Sequence, residues 1–187
     1  MFKEGNSAAF DLLFEKFRVP VFNFIYRMLN RQKGPAEDLL QEIFVKVVQG
    51  KEFYEPEGRF STWLFSIARN HCLNFLKSRT YKQDKITISI DIREEESGLV
   101  MSDKLARHRN DGNTIEQKEF RNRFEETIST LPEKCREIFL LHAVEGLTHQ
   151  EISKILKINP ATIRTDYHRA KLLIKEKIGV LPEEKEA

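Results

Sequence analysis

Apolar residues recur at helical spacing in two blocks of the chain. In the first block, residues 8–79, successive stripes of apolar side chains lie three and four residues apart. Pro20 is expected to kink or separate the first two helices. A further helix, with Gly50 as its end, is predicted to carry one apolar face made of Leu39, Leu40, Ile43, Phe44, Val47 and Val48. The pattern returns at 114–178, so the sequence predicts two helical domains.

Helical periodicity is absent between these blocks. Isoleucines there alternate with polar residues, which could indicate a short strand, but no second strong strand is present to pair with it. We therefore expect an extended, mobile tether. The predicted fold is all-α: two small helical domains, residues 1–80 and 114–187, joined by a flexible linker, residues 81–113. The alternating isoleucines are Ile86, Ile88, Ile90 and Ile92.

The strongest local signal is a helix-turn-helix over residues 147–178. Thr148 and Glu151 have the spacing of a capping box. In this motif the side chain of each residue accepts a hydrogen bond from the backbone N–H of the other. Asn159 followed by Pro160 is typical of the start of the next helix, with the asparagine as cap. These signals predict two short helices joined by a tight turn.

The second of these helices has an outward face that is basic and polar. Residues 154–177 hold seven bases against two acids, although the whole chain carries a net charge of only +2. A local cationic face of this kind can enter a major groove. The alternative is an ordinary helical hairpin with a solvated basic face. The candidate DNA contacts are Arg164, Thr165, His168, Arg169 and Lys171.

Other classes of protein find little support. No apolar run approaches the roughly 18 to 20 residues that cross a bilayer, and the start lacks the apolar core of a secretory signal. Cys72 and Cys135 match no metal-ligand spacing, and reduced thiols in a cytoplasmic protein are expected. The histidines are scattered, and no Gly-rich phosphate loop is present. We therefore expect no enzyme, no cofactor, no metal and no membrane insertion.

The C-terminal block resembles a known family. The stretches 131–139 (LPEKCREIF), 146–152 (GLTHQEI), 161–165 (ATIRT) and 168–171 (HRAK) closely resemble region 4 of extracytoplasmic-function (ECF) sigma factors. In that family region 4 reads the −35 promoter element. The resemblance places Arg164, Thr165, His168 and Arg169 at the contacts of the recognition helix. Asp166 departs from the basic residue often found there, and it either faces a cytosine amine or points away.

The N-terminal block resembles region 2 of the same family. The stretch 36–44 (AEDLLQEIF) is similar to the helix that docks on the clamp of the largest polymerase subunit. The acid, amide and acid used there match Asp38, Gln41 and Glu42. Residues three and four apart share one helical face. For these residues alone, a solvated polar face remains the alternative.

The stretch 60–70 (FSTWLFSIARN) resembles the segment that captures an unpaired base of the −10 element. Asn70 matches the position associated with that base. Arg69, Lys77 and Arg79 are candidate phosphate contacts. Trp63 is expected to lie in the core.

Taken together, the resemblance implies a sigma factor that directs core RNA polymerase to specific promoters and aids promoter melting. It also implies promoter DNA as a ligand and an anti-sigma factor as a partner. The alternative is a helix-turn-helix regulator that binds duplex DNA independently of polymerase.

Overall fold

All regular elements that the structure describes are helices. The computed structural model describes residues 7–54, 58–85 and 115–178. The all-α prediction is confirmed. The helices are α1 (Ser7–Met28), α2 (Lys33–Gln49), α3 (Phe60–Lys85), α4 (Ile115–Ser129), α5 (Glu133–Phe139), α6 (His149–Leu156) and α7 (Pro160–Ile178), with a 3₁₀ turn at Lys51–Phe53 and a π-helical turn at Leu140–Val144.

Helix α1 continues through Pro20 as one helix, so the two apolar stripes do not belong to separate helices. A proline inside a helix costs about 3 kcal/mol, because one backbone donor is lost and the ring crowds the preceding turn. Val21, Phe24 and Ile25 follow Pro20 and are fully buried. Each such side chain contributes roughly 1.5 to 3 kcal/mol on burial, which is enough to offset the proline.

Helices α1 and α2 pack against each other through aromatic side chains. The rings of Phe14 and Phe44 meet edge to face, with centroids 4.8 Å apart. Between the helices, Asn30 and Arg31 adopt positive φ angles of 51° and 68° and form the reversal. This packing buries one face of α2 and leaves the opposite face in solvent.

Helix α3 is anchored by Leu64, Phe65, Ala68 and Cys72, all of which are buried. It runs to Lys85, past the expected domain boundary at residue 80. The rest of the expected linker, with its alternating isoleucines, lies outside the described residues.

The described residues form two compact units. One contains α1, α2, the 3₁₀ turn and α3 from Ile67 onward. The other contains α4 to α7 and, unexpectedly from the sequence, the described residues between Tyr54 and Ser66. The expected N-terminal domain, residues 1–80, included that segment.

The second unit has its own apolar core, in which α7 packs against α4, α5 and α6. Ile138, Leu141, Ile152 and Ile163 are completely buried there. The π-helical turn after α5 brings the chain to Gly146, whose positive φ of 68° suits a residue without a Cβ. Across all the residues described, every helix is too short or too polar to cross a membrane.

Candidate nucleic-acid interface

The start of α6 is held by the capping box that the sequence predicts. Glu151 N donates to Thr148 Oγ1 at 3.2 Å, and Thr148 N donates to Glu151 Oε2 at 2.8 Å. Burial alone would raise the pKa of Glu151. The bonds from Thr148 and Thr62, together with nearby Arg59, outweigh burial and lower that pKa.

The turn between α6 and α7 is also held by local bonds. Lys157 ends α6 in the left-handed conformation, with φ of 56°. Ser153 Oγ donates to the carbonyl oxygen of Ile158 at 2.6 Å. Asn159 Oδ1 accepts from Ala161 N at 2.8 Å, so this asparagine caps α7 as expected. These contacts fix α7 relative to α6.

Helix α7 has the two faces that its sequence indicates. Its inner stripe, Ile163, Tyr167, Ala170 and Ile174, is buried. The candidate contacts Arg164, Thr165, His168 and Arg169 are all exposed. Lys171 differs: it is half-buried, and its Nζ lies 5.0 Å from the centroid of the Tyr167 ring.

Asp166 points away from this outer face. Its Oδ2 lies 3.2 Å from Nζ of Lys134 at the start of α5, and its side chain is 19% exposed. The contact is an ion pair without hydrogen-bond alignment. Of the two orientations open from the sequence, pointing away is therefore the one observed.

The polar face of α2 is exposed as expected. Asp38, Gln41 and Glu42 share this face. Glu42 Oε2 lies 3.8 Å from His71 Nδ1 of α3, a pairing that the sequence did not signal. Val48, which the sequence places on the apolar stripe, is 43% exposed instead.

The candidate residues of α3 differ in exposure. Asn70 and Lys77 are exposed and lie about two helical turns apart on one face, whereas Arg69 is half-buried. The side chain of Arg79 lies outside the described residues. The structure therefore places Asn70 and Lys77 on a common surface.

Trp63 is half-buried rather than part of the core, so that expectation is corrected. Its ring lies 5.3 Å from that of Tyr54 and 5.7 Å from that of Phe60, centroid to centroid. Tyr54 OH donates to the carbonyl oxygen of Gly58 at 3.1 Å. These aromatic residues pack around the start of α3, and the aromatic spacing from Tyr54 to Trp63 was the available sequence signal.

A second feature absent from the sequence reasoning centres on Glu151. Thr62 Oγ1 donates to Glu151 Oε1 at 3.1 Å, and Arg59 lies 3.5 Å from Glu151 Oε2. All three residues belong to the same compact unit. One carboxylate therefore accepts hydrogen bonds in the cap of α6 and at the start of α3, and it pairs with Arg59 just before α3.

Known proteins match this arrangement in order along the chain. Residues 13–81 match the family Sigma-70 region 2, and residues 121–174 match Sigma-70, region 4. The ECF RNA polymerase sigma-E factor of Haemophilus influenzae is 29% identical over 183 residues, covering 96% of this chain and 92% of that protein. The protein of the same name from Escherichia coli K12 is 28% identical over 180 residues, covering 96% and 91%.

Solved structures support the fold. The sigma factor RpoE from Bartonella quintana, crystallised with the anti-sigma factor NepR, aligns with a TM-score of 0.69 at 19% identity, covering 93% of this chain and 99% of that one. CnrH, in complex with the cytosolic domain of CnrY, aligns with a TM-score of 0.63 at 19% identity, covering 94% and 90%. The alternative of a helix-turn-helix regulator that binds DNA independently of polymerase is not favoured, because the chain matches both region 2 and region 4 of sigma-70 factors. The chain therefore belongs to the sigma-70 family and is an RNA polymerase sigma factor of the ECF group.

Proposed function

We propose that three helices of this sigma factor have separate binding roles. Helix α2 docks on core polymerase, α3 captures an unpaired base of the −10 element, and α7 reads the −35 element. The observation that carries the proposal is the two-sided α7, whose inner stripe is buried while its cationic and polar residues face solvent. The family is not known as a family of enzymes, and the proposed roles are all binding roles.

On α7, Arg164 and Arg169 are the proposed base-edge or phosphate contacts. Guanidinium groups donate in pairs to guanine in the major groove or to phosphate oxygens. Thr165 Oγ1 donates to the carbonyl oxygen of Ala161 at 3.1 Å. Since that bond uses the hydroxyl proton, Thr165 faces DNA as an acceptor, which suits an amine of adenine or cytosine. Lys171, whose Nζ lies over the Tyr167 ring, is proposed to contact a phosphate at the edge of the interface.

On α2, the proposed docking surface is Asp38, Gln41 and Glu42, with the clamp of the largest polymerase subunit as its partner. The exposed Val45, on the next turn of the same face, adds apolar area to this surface. Charged groups at such a surface steer association, and apolar area at its centre supplies affinity.

On α3, the exposed amide of Asn70 is the proposed reader of an unpaired base. An amide offers a donor and an acceptor and carries no charge to desolvate. Lys77, exposed on the same side, suits the phosphate backbone, and Arg69 and Arg79 are proposed as further backbone contacts.

An anti-sigma factor is proposed as a further partner, since both aligned structures contain a second protein, which in the RpoE structure is named as an anti-sigma factor. The proposed site of action is the cytoplasm, where core polymerase and promoter DNA are found.

Run-off transcription with purified core polymerase and a promoter library tests the proposal. Transcripts are expected only when the sigma factor is added, and their promoters are expected to share one upstream and one downstream element. Arg164→Ala or Arg169→Ala is expected to weaken use of the upstream element by roughly 1 to 3 kcal/mol. A base contact changes sequence preference, whereas a phosphate contact lowers affinity for all sequences and reduces the salt slope.

Glu176→Gln, an exposed change near the end of α7, is the matched control. If both arginine variants transcribe like the unmodified protein, the reading face has been placed wrongly. Tight, specific binding to duplex DNA without polymerase would instead support the independent regulator.

A further inference from the structure

Three aromatic rings in contact, two of them stacked, join the turn before the helix-turn-helix to its recognition helix. The ring of His149, the first residue of α6, lies nearly parallel to that of His142, with centroids 4.3 Å apart and 28° between the planes. His142 meets Tyr167 of α7 edge-on at 4.5 Å. His149 lies 5.9 Å from the same tyrosine ring. The stack therefore connects the π-helical turn, α6 and α7.

Hydrogen bonding identifies the protonated nitrogen of one ring. His142 Nδ1 lies 2.7 Å from the carbonyl oxygen of Leu147. Because a carbonyl oxygen only accepts, this nitrogen carries the proton. His149 Nε2 is buried and makes no hydrogen bond. A proton added there would lack an acceptor, which is costly for a buried donor.

The charges that act on His149 are cationic. Arg164 and Lys171 come from α7, and His142 comes from the π-helical turn. Burial is the largest cause that lowers the pKa of His149, followed by His142, Arg164 and Lys171. The geometry and the charges thus both favour the neutral ring.

We propose that His142 and His149 are positioning residues of the recognition helix: while the His149 ring is neutral, the stacked pair holds Tyr167, and a proton on His149 breaks that hold. Tyr167 directly precedes the outward-facing His168, so a shift of this turn displaces the residues that face DNA. The inference rests on the proposed role of α7. It predicts that binding through the upstream element weakens in acid, while docking through α2 does not depend on the stack.

The test compares holoenzymes on two duplex promoters that differ only in the upstream element. The ratio of the two affinities cancels effects of pH on polymerase itself. For the unmodified protein, this ratio is expected to fall roughly threefold to fivefold between about pH 8 and about pH 5.5, because one unit of pKa coupling reaches its full effect of about tenfold only below the lowered pKa. His149→Phe, a ring without a titrating group, is expected to keep the ratio at both pH values.

Two lysine variants separate charge in the stack from charge nearby. For His149→Lys, the ratio of the two affinities is expected to be near one at both pH values. Gln150→Lys places the same charge on the exposed neighbour and is expected to behave like the unmodified protein. Since both His149 variants retain His168, any effect of that outward-facing residue is common to all of these proteins.

The outcomes distinguish this inference from the proposed function. A ratio near one for the unmodified protein at about pH 8 overturns the role of α7 in upstream binding. A normal ratio whose fall in acid persists in His149→Phe overturns the positioning role. Imidazole titration by NMR on the full chain adds a readout that needs no lysine variant: His149 is expected to titrate below its ordinary pKa, and an ordinary value also overturns the inference.

Discussion

Glu151→Gln is expected to destabilise the compact unit that contains the helix-turn-helix. The Glu151 carboxylate accepts from Thr148 N and Thr148 Oγ1, both at 2.8 Å, and from Thr62 Oγ1 at 3.1 Å. Its side chain is only 15% exposed. Hydrogen bonds to a charged group contribute roughly 1.5 to 3 kcal/mol, and neutral ones about 1 kcal/mol. Because the glutamine retains one acceptor oxygen, we expect a net loss of about 1 to 2 kcal/mol in the free energy of unfolding.

The loss should depend on pH in a definite direction. The pKa of Glu151 is lowered in the folded protein, so the folded state binds this proton less readily than the unfolded state does. The stabilisation is therefore present above the unfolded pKa and is lost as pH falls through the folded value. Urea unfolding followed by fluorescence of Trp63, the chain's single tryptophan, measures it, since Trp63 lies in the same unit.

The unmodified protein is expected to lose part of its stability between about pH 7 and about pH 3.5, and Glu151→Gln to lose less over the same interval. Glu176→Gln, which removes an exposed carboxylate, is the control and should change stability by less than about 0.5 kcal/mol. Equal midpoints and equal pH dependence in the two proteins would refute the reasoning, because the carboxylate would then contribute nothing as an anion.

Three further predictions address other parts of the chain. Reversing the charges of Asp38 and Glu42 to lysine should weaken binding to core polymerase at least about tenfold and leave the helical circular dichroism unchanged; Glu15→Lys on α1 is the control, and unchanged affinity leaves only a solvated face. Asn70→Ala should impair strand opening, read by permanganate reactivity of unpaired thymines, on duplex and pre-melted templates alike, while polymerase binding persists. Lys157→Gly should raise the free energy of unfolding by about 0.5 to 1 kcal/mol, because glycine adopts positive φ without the Cβ penalty; a loss in urea unfolding would contradict this.

Features set by residues a few positions apart could be predicted from the sequence. The capping box needs only Thr148 and Glu151, three residues apart, and the cap of α7 needs only Asn159. The buried stripe of α7 follows from helical periodicity in the same way. Each of these predictions rests on one helix or its end, so no knowledge of the tertiary packing was required.

Features that depend on distant packing were missed. The contact of Thr62 with Glu151 joins residues 89 positions apart, and no spacing rule indicates it. Val48 was assigned to the apolar face of α2 together with Val47. It is 43% exposed, and the pattern within α2 alone does not specify which apolar side chains the rest of the unit covers. Trp63 likewise belongs to an aromatic cluster at the start of α3, although apolar neighbours suggested the core.

Asp166 shows how the two kinds of information combine at the proposed reading face. Its place among the outward residues of α7 made it an anomaly, because an acid close to phosphate groups is repelled by them. The ion pair with Lys134 turns its carboxylate toward α5 and compensates its charge within the domain. The acid also raises the pKa of buried Cys135, after burial itself as the larger cause, which keeps that thiol neutral. The outer face of α7 is therefore more cationic than its composition implies, and a chain with a net charge of only +2 can still present a local surface suited to DNA.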